Sequence, residues 1–337
     1  MKFTYLWGDV WKYEKYAKHR NSLTRACIYF IRSIQWFFLS PLYKFVLFCR
    51  PYEKKSFKWN VSVCAIFKNE APFLKEWIEY HRLIGVEHFY LYNNFSTDNY
   101  MAILSPYIEK DVVTLIDWPI SGNDNAQNKA YTDCLSKYRG ETHWLAIIDL
   151  DEFINLKKNN SIGKWLQRYQ KYPSVYLFWK HFGTTGIIKH LPGDLVLEKY
   201  TSCWCNLCNT GKAIVNNNFY FPVPKGHLIK AGVNFLGLNL SIPSVNDRKC
   251  FNLCSYPFGI KDVSAQLNHY YIRGFEDRYF KCFKRGFACP DSPEDYYEYD
   301  RITPYEQFCV SREYSIQRFL IPLKIRLDDK IYHGYND

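Results

Sequence analysis

No uninterrupted apolar run of membrane-spanning length occurs in this 337-residue chain. The most apolar stretch, residues 26–49, is long enough to cross a bilayer. Arg32, Gln35, Pro41 and Lys44 interrupt it, and each charge is expensive at membrane depth. The first 25 residues are charged and lack an apolar core, so no cleavable signal peptide is expected. No internal repeat or low-complexity tract stands out, which excludes a solenoid reading. The body also lacks surplus charge. Residues 1–58 hold twelve Lys/Arg against three Asp/Glu, leaving 32 against 30 for the remainder of a chain whose net charge is +11. A nearly neutral body argues against a nucleic-acid groove, and a basic arm argues for contact with an anionic surface.

Aromatics make up 19% of the residues, far too many for a disordered chain. Twelve cysteines would suit a disulfide framework only in a much shorter protein. Cys64 and Cys134 fall inside apparent core elements and read as reduced and inert. Cys203, Cys205 and Cys208 form a tighter group, but no second pair lies at finger spacing, so structural zinc is the lesser reading. The Asn-x-Ser sequons at Asn60 and Asn94 fall in or beside predicted strands and read as chance.

The arm, residues 1–58, is expected to lie on a membrane. Residues 26–49 read as an interfacial helix pair broken at Ser40-Pro41, with Trp36 and several Tyr at headgroup level. A spanning helix and a helical hairpin packed on the body are the alternatives. From Val61 onward strands and helices alternate. Strands are expected at 61–67, 88–92, 112–116 and 144–148. Helices are expected over about 72–84, with Asn69 as cap and Gly85 as stop, and over about 99–108 and 126–138. This alternation predicts an α/β fold whose mostly parallel sheet has right-handed crossovers, with ligands beyond the carboxyl ends of its strands. Past Phe153 the pattern loosens. A helix is expected at 161–172, strands at 175–179, 212–215 and 219–223, a strand ending at His269, and a basic helix over 273–286.

The stretch Trp144-Leu145-Ala146-Ile147-Ile148-Asp149-Leu150-Asp151-Glu152-Phe153 combines a buried strand with three carboxylates in four positions. On an extended strand Asp149 and Asp151 would share one side. Converging carboxylates repel unless a cation lies between them, and a hard divalent ion bound through oxygen fits. The arrangement reads as a site for a metal and a diphosphate, and a solvated acidic turn is the bland alternative.

Several blocks in order resemble glycosyltransferase family 92 and its family 2-like relatives. They are Cys-Ala-Ile-Phe-Lys-Asn-Glu (64–70), Glu-Trp-Ile-Glu-Tyr-His (76–81), Gly-Val-Glu-His-Phe (85–89) and Tyr-Asn-Asn-Phe-Ser-Thr-Asp (92–98). Gln127 to Cys134, the 144–153 block, Phe182-Gly183-Thr184-Thr185-Gly186, Lys212-Ala213-Ile214-Val215 and His269-Tyr270 with Lys281 and Arg285-Gly286 continue the series. The resemblance implies a GT-A (Rossmann-like) fold, a nucleotide-sugar donor, a divalent metal (Mn²⁺ or Mg²⁺) and inversion at the anomeric carbon. Asp151 would ligate the metal, Asp149 would reach the ribose or the ion, and His227 or His269 would complete the shell. Each histidine can equally be a hydrogen-bonded structural residue. Asn69, Glu70, Asn94, Ser96 and Asp98 would line the nucleoside, although Asp98 can equally cap the next helix. Gln127 and Lys129 would touch the diphosphate or form a solvated helix face. Glu276 or Asp277 would be the base, or would simply favour their helix dipole. Trp179, Phe182 and Trp204 are candidates to stack on sugar.

The organisation expected is a membrane-associating arm (1–58), a GT-A domain (59–290) and a C-terminal extension (291–337). The function expected is transfer from a UDP-sugar to a glycan or glycolipid acceptor in surface polysaccharide or lipooligosaccharide synthesis. The expected place is the cytoplasmic face of a bacterial inner membrane, held peripherally or monotopically. A non-catalytic glycan- or membrane-binding protein and a nucleotide-sugar phosphohydrolase are the alternatives.

Overall fold

The computed structural model describes residues 22–50, 55–121, 124–208, 210–222, 229–251, 263–280 and 306–328. In chain order it has α1 (Ser22–Cys49), β1 (Trp59–Phe67), α2 (Ala71–Leu83), β2 (His88–Asn93), α3 (Tyr100–Glu109), β3 (Val113–Asp117), α4 (Ala126–Lys137) and β4 (Thr142–Ile147). There follow β5 (Glu152–Leu156), α5 (Ile162–Leu166), β6 (Ser174–His181), α6 (Val196–Lys199), β7 (Ser202–Cys203) and β8 (Gly211–Asn216). The last elements are β9 (Lys230–Phe235), β10 (Leu238–Pro243), β11 (Ala265–His269), α7 (Phe275–Phe280), β12 (Ser311–Arg312) and α8 (Leu320–Leu327).

Eight strands form one sheet in the order β3-β2-β1-β4-β8-β6-β11-β5. β1 to β4 are mutually parallel with a helix in each crossover, as the alternation predicts. β2 is buried along its whole length and β1 from Val61 onward, so both faces of this half are covered. The other half is mixed. β8 runs antiparallel to β4 and β6, and β11 is parallel to β6 but antiparallel to β5. The fold is thus mixed α/β around a sheet in which parallel pairing predominates.

The sheet has to curl. β4 and β5 are joined by residues 148–151 alone, yet three strands stand between them in the sheet. In a flat sheet four ladder spacings would hold them about 19 Å apart. Five residue steps reach about 17 Å only when fully extended, and here the connection is a turn. Curling brings the ends of β8, β6 and β11 around that turn. From the other side, Trp77 Nε1 on α2 donates to the Glu152 carbonyl (2.8 Å), and the Tyr80 hydroxyl donates to the Ile154 carbonyl (2.7 Å). These bonds fix β5 on α2, which also carries α8.

Three local expectations change. The 26–49 region is a single helix, α1, rather than a pair broken at Ser40-Pro41. Pro41 is solvent-exposed, so the carbonyl it leaves without a donor faces water and the helix continues. The carboxyl-terminal half of α1 packs on the body. Val46 and Leu47 enter the core, Tyr43 meets Phe251 edge-on at 5.3 Å, and Arg50 donates to the Asn218 carbonyl (2.7 Å). No helix among the described residues is long and apolar enough to cross a membrane. Asn69 does not cap α2, because it is left-handed (φ +52°) and its Oδ1 accepts from the Thr97 and Asp98 amides. Residues 219–222 form no strand, and Tyr220 makes a lone bridge to Gly232. The basic helix is described as α7, and residues 281–286 lie outside the described residues.

Candidate active site

The strand order reverses between β1 and β4, so their carboxyl ends flank the crevice where open α/β sheets take ligands. The acidic knot sits there. β4 stops at Ile147, and Asp149, Leu150 and Asp151 form a turn rather than extended strand. The two aspartates therefore meet different partners, a correction to the shared strand side expected from their spacing. The turn is locked by the Glu152 amide donating to the Asp149 carbonyl (3.1 Å) and by the Asp149 amide donating to Glu152 Oε2 (2.8 Å).

Asp149 is held by a buried lysine. Lys212 Nζ, from the start of β8, lies 2.9 Å from Asp149 Oδ2. Asp149 Oδ1 accepts from the Tyr131 hydroxyl (2.6 Å) and from Gln127 Nε2 (2.9 Å). Burial works to raise the Asp149 carboxyl, but the Lys212 charge together with the hydrogen bonds of Tyr131 and Lys212 holds it below the usual carboxylate value. Burial opposes the Lys212 ammonium in turn, and the charges of Asp149 and Glu152 raise it. Glu152 goes the other way. Burial, then the charges of Asp149 and Asp151, push its carboxyl well above the usual range against the pull of Lys212. Its Oε1 accepts from Trp179 Nε1 at 2.6 Å, so Trp179 is tied into the site.

Asp151 is buried and turns toward β11. Its Oδ1 lies 3.5 Å from His269 Nε2, and its carbonyl accepts the Tyr270 amide (2.8 Å). That separation is too long for a good N–H···O bond. It matches two donors at tetrahedral corners around an ion with bonds of about 2.1 Å, and the pair would close to about 3.0 Å on adjacent corners of an octahedral ion. Among the described residues the buried His269 Nδ1 has no hydrogen-bond partner. The His181 and His269 rings lie 5.3 Å apart, and burial holds His181 well below its ordinary value and so neutral. A carboxylate oxygen and an imidazole nitrogen thus fit as half of a divalent-ion site. Among the described residues no three His, Cys, Asp or Glu side chains gather into a ready cage. Cys203, Cys205 and Cys208 are reduced and form no such cage either. His227 lies outside the described residues.

The loops after β1 and β2 are knitted together by the side chains expected to line a nucleoside. The Asn69 amide donates to Ser96 Oγ (3.0 Å), and the Ala71 amide at the start of α2 donates to Asp98 Oδ2 (2.8 Å). Asp98 thus serves the preceding helix rather than the next one. Asn94 Nδ2 donates to the carbonyls of Trp118 and Ile120 (2.9 and 2.7 Å). Gln127 is committed to Asp149 and Tyr131, whereas Lys129 is exposed on α4.

Glu70 forms a buried ion pair with Arg273, 2.7 Å between Oε2 and Nη2. The Arg273 guanidinium stacks 3.6 Å over Phe73, and its buried Nη1 has no hydrogen-bond partner among the described residues. It feels the charges of Glu70, Asp151 and Asp277, so these three carboxylates share one cation. Asp277 is half-buried at the start of α7. Burial raises its carboxyl against the Arg273 charge and a hydrogen bond from the Gly274 backbone, and its buried Oδ2 has no hydrogen-bond partner among the described residues. Glu276 is exposed, 3.6 Å from Lys189. Lys212, Tyr131 and Arg273 escaped the reading of site residues. Lys212 carried a signal, since a lone charge inside Gly-Lys-Ala-Ile-Val must find a counterion once that strand is buried.

Residues 58–221 match the family model described as Glycosyltransferase family 92. A glycosyltransferase family 92 protein of Ricinus communis is 27% identical over 199 residues, covering 56% of this chain and 35% of the relative. The galactan beta-1,4-galactosyltransferase GALS3 of Arabidopsis thaliana is 30% identical over 129 residues, covering 35% of this chain and 26% of that one. The chain spans about a third of the length of the family 92 relatives it matches first. Among solved structures, S. aureus TarS 1–349 in complex with UDP aligns with 48% of this chain and 50% of its own, at 17% identity and a TM-score of 0.32.

Proposed function

The chain belongs to glycosyltransferase family 92 over residues 58–221, and from that premise we propose a metal-dependent, inverting glycosyltransferase of GT-A type. The donor is a nucleotide sugar, a UDP-hexose first, and the acceptor is a glycan or glycolipid at the cytoplasmic face of a membrane. The galactosyltransferase activity named for the Arabidopsis relative supports a hexosyl donor. The observation that carries the reading is the 3.5 Å approach of Asp151 Oδ1 to His269 Nε2 beside the crevice between β1 and β4.

Asp151 and His269 are the residues that would hold Mn²⁺ or Mg²⁺, which when bound neutralises charge growing on the departing diphosphate. Asp149, pinned by Lys212, keeps about a quarter of its side chain exposed and presents it to the donor ribose. In the transfer the acceptor hydroxyl oxygen forms a bond to the anomeric carbon. The bond from that carbon to the diphosphate oxygen breaks, and its electron pair leaves with the nucleoside diphosphate. Asp277 takes the hydroxyl proton, and its raised pKa suits a carboxylate working as base. Arg273 holds Glu70, Asp151 and Asp277 in one field and limits their mutual repulsion.

The test is calorimetry of a UDP-sugar panel with and without Mn²⁺, followed by turnover with glycan acceptors. Donor binding strengthened by Mn²⁺, and transfer abolished by EDTA and restored by Mn²⁺, are expected. Free sugar phosphate released at the same rate without acceptor would make the protein a phosphohydrolase. Absence of sugar-nucleotide binding would leave a binding module.

A further inference from the structure

The outward face of α1 is apolar where the inward face is docked. Ile34, Phe37, Phe38, Leu42, Phe45 and Phe48 recur at helical spacing and are all exposed, Phe48 by 76%. On the opposite side Ser40, Val46 and Leu47 are buried. The exposed face is therefore no leftover of a half-formed core, because the helix already has its own buried seam.

A second element extends the surface. β9 and β10 form a hairpin whose two-residue loop, Leu236-Gly237, has positive φ at both positions. Asn-Gly or Asp-Gly is the ordinary choice there. Here a leucine takes the left-handed conformation (φ +51°) and is 87% exposed, with Leu238 beside it 65% exposed. Phe235, at the end of β9, lies edge-on to Phe45 of α1 at 6.0 Å. Hairpin tip and helix face thus adjoin as one apolar surface.

Beside it lies a groove of about 630 Å³ between α1 and the segment 167–172. Among the described residues Lys44, Lys171 and Lys249 line it together with Phe45 and Phe48, as does Arg168, which is paired with Asp247 (2.5 Å), and no carboxylate lines it. Lys171 lies 5.8 Å over the Phe48 ring, so charge and apolar surface meet there. Two copies of the chain packed face to face would oppose these cations to each other. Lipid phosphates bring the complementary charge at the depth where aromatic rings settle.

We propose that the outer face of α1 and the Leu236–Leu238 tip enter the headgroup layer of an anionic bilayer, and that the groove seats lipid phosphates. This deepens the membrane part of the proposed function and rests on that reading for the presence of a bilayer. The test is flotation of the full-length protein with phosphatidylcholine vesicles, with and without phosphatidylglycerol. Binding is expected to need phosphatidylglycerol and to weaken about tenfold between about 0.1 M and 0.5 M NaCl. Phe37→Ser/Phe45→Ser and Leu236→Asp should each weaken it about tenfold. Lys171→Glu/Lys249→Glu should remove the preference for the anionic lipid. Equal binding to both vesicles, or variants that float like the wild type, would overturn the proposal. So would a dimer that these variants dissociate, seen by sedimentation velocity without change in vesicle binding. Turnover of a soluble acceptor by the same variants separates the two readings. Wild-type protein that transfers sugar but floats no better on anionic than on neutral vesicles sinks the docking surface alone. Normal flotation without transfer sinks the enzyme alone.

Discussion

Lys212 and Asp149 face each other at 2.9 Å, one from the start of β8 and the other from the turn that leaves β4. The lysine is almost wholly buried, so its charge is tolerable only because the aspartate is there. Lys212→Met should therefore do more than lower activity. It leaves Asp149 beside Glu152 and Asp151 with no cation, and a loss of about 3 kcal/mol in urea unfolding is expected. Asp149→Asn in the same background should recover part of that loss. Additive effects of the two substitutions would mean the contact carries no coupling.

The Asp151–His269 pair makes a different prediction, because its separation fits an ion better than a hydrogen bond. Asp151→Asn keeps the shape and removes the charge. Mn²⁺ affinity measured by calorimetry with UDP present should fall at least about tenfold, and His269→Gln should do the same. The melting temperature of the metal-free protein should move little. Unchanged Mn²⁺ affinity in both variants would reduce the pair to a polar contact.

Asp277 can be separated from Glu276 through pH. A base must be ionised, and burial raises the Asp277 carboxyl above its ordinary value. Activity should therefore fall as pH drops through that raised value. The acid limb of kcat/KM should lie above the ordinary aspartate value of about 3.9. Asp277→Asn should lower kcat by about 10² or more with little change in donor KM. Glu276→Gln should remain near wild type, since that carboxylate is exposed beside Lys189. An acid limb that survives in Asp277→Asn would assign the base elsewhere.

The first half of the sheet was legible because its physics is local. Apolar runs at 61–67, 88–92 and 144–148 bounded by polar loops are too short for helices and read as strands buried on both faces, and helices between them favour parallel pairing. The second half was not. β5 begins immediately after the acidic turn, and its five residues lie at the sheet's far edge through a curl that no periodicity encodes. The hairpin of β9 and β10 was hidden because Leu236-Gly237 is a poor turn signal. The acidic knot stood out as chemistry in sequence, but its partners did not. Lys212 is 63 residues from Asp149, and Arg273 is 203 residues from Glu70, distances at which only the folded sheet sets who meets whom. Asn69, Ser96 and Asp98 had the right types for a ligand loop. Those same types satisfy backbone amides, and here they do that between two loops.

Glu76 gives a prediction about stability alone. Its carboxylate is buried on α2 and accepts the Val196 and Leu197 amides at 2.8 and 3.0 Å, at the first turn of α6. Burial pushes its pKa up to about 7, against the two amides and the Arg273 charge that pull it down. The folded protein then binds a proton at Glu76 that the unfolded chain has released, over the window from about 4.5 to about 7. Folding is favoured where that proton is bound, so the contribution is fully present below about pH 4.5 and is lost as pH rises through 7. The swing is about 3 kcal/mol for a group this buried. Glu76→Gln cannot titrate, and its single carbonyl oxygen serves only one of the two amides at full strength. The variant should be less stable than wild type at pH 5, and the difference should shift in the variant's favour by about 2.5 kcal/mol by pH 8. Urea unfolding of both proteins across that range measures the gap directly. A gap independent of pH would mean that the two amides and Arg273 keep Glu76 ionised throughout.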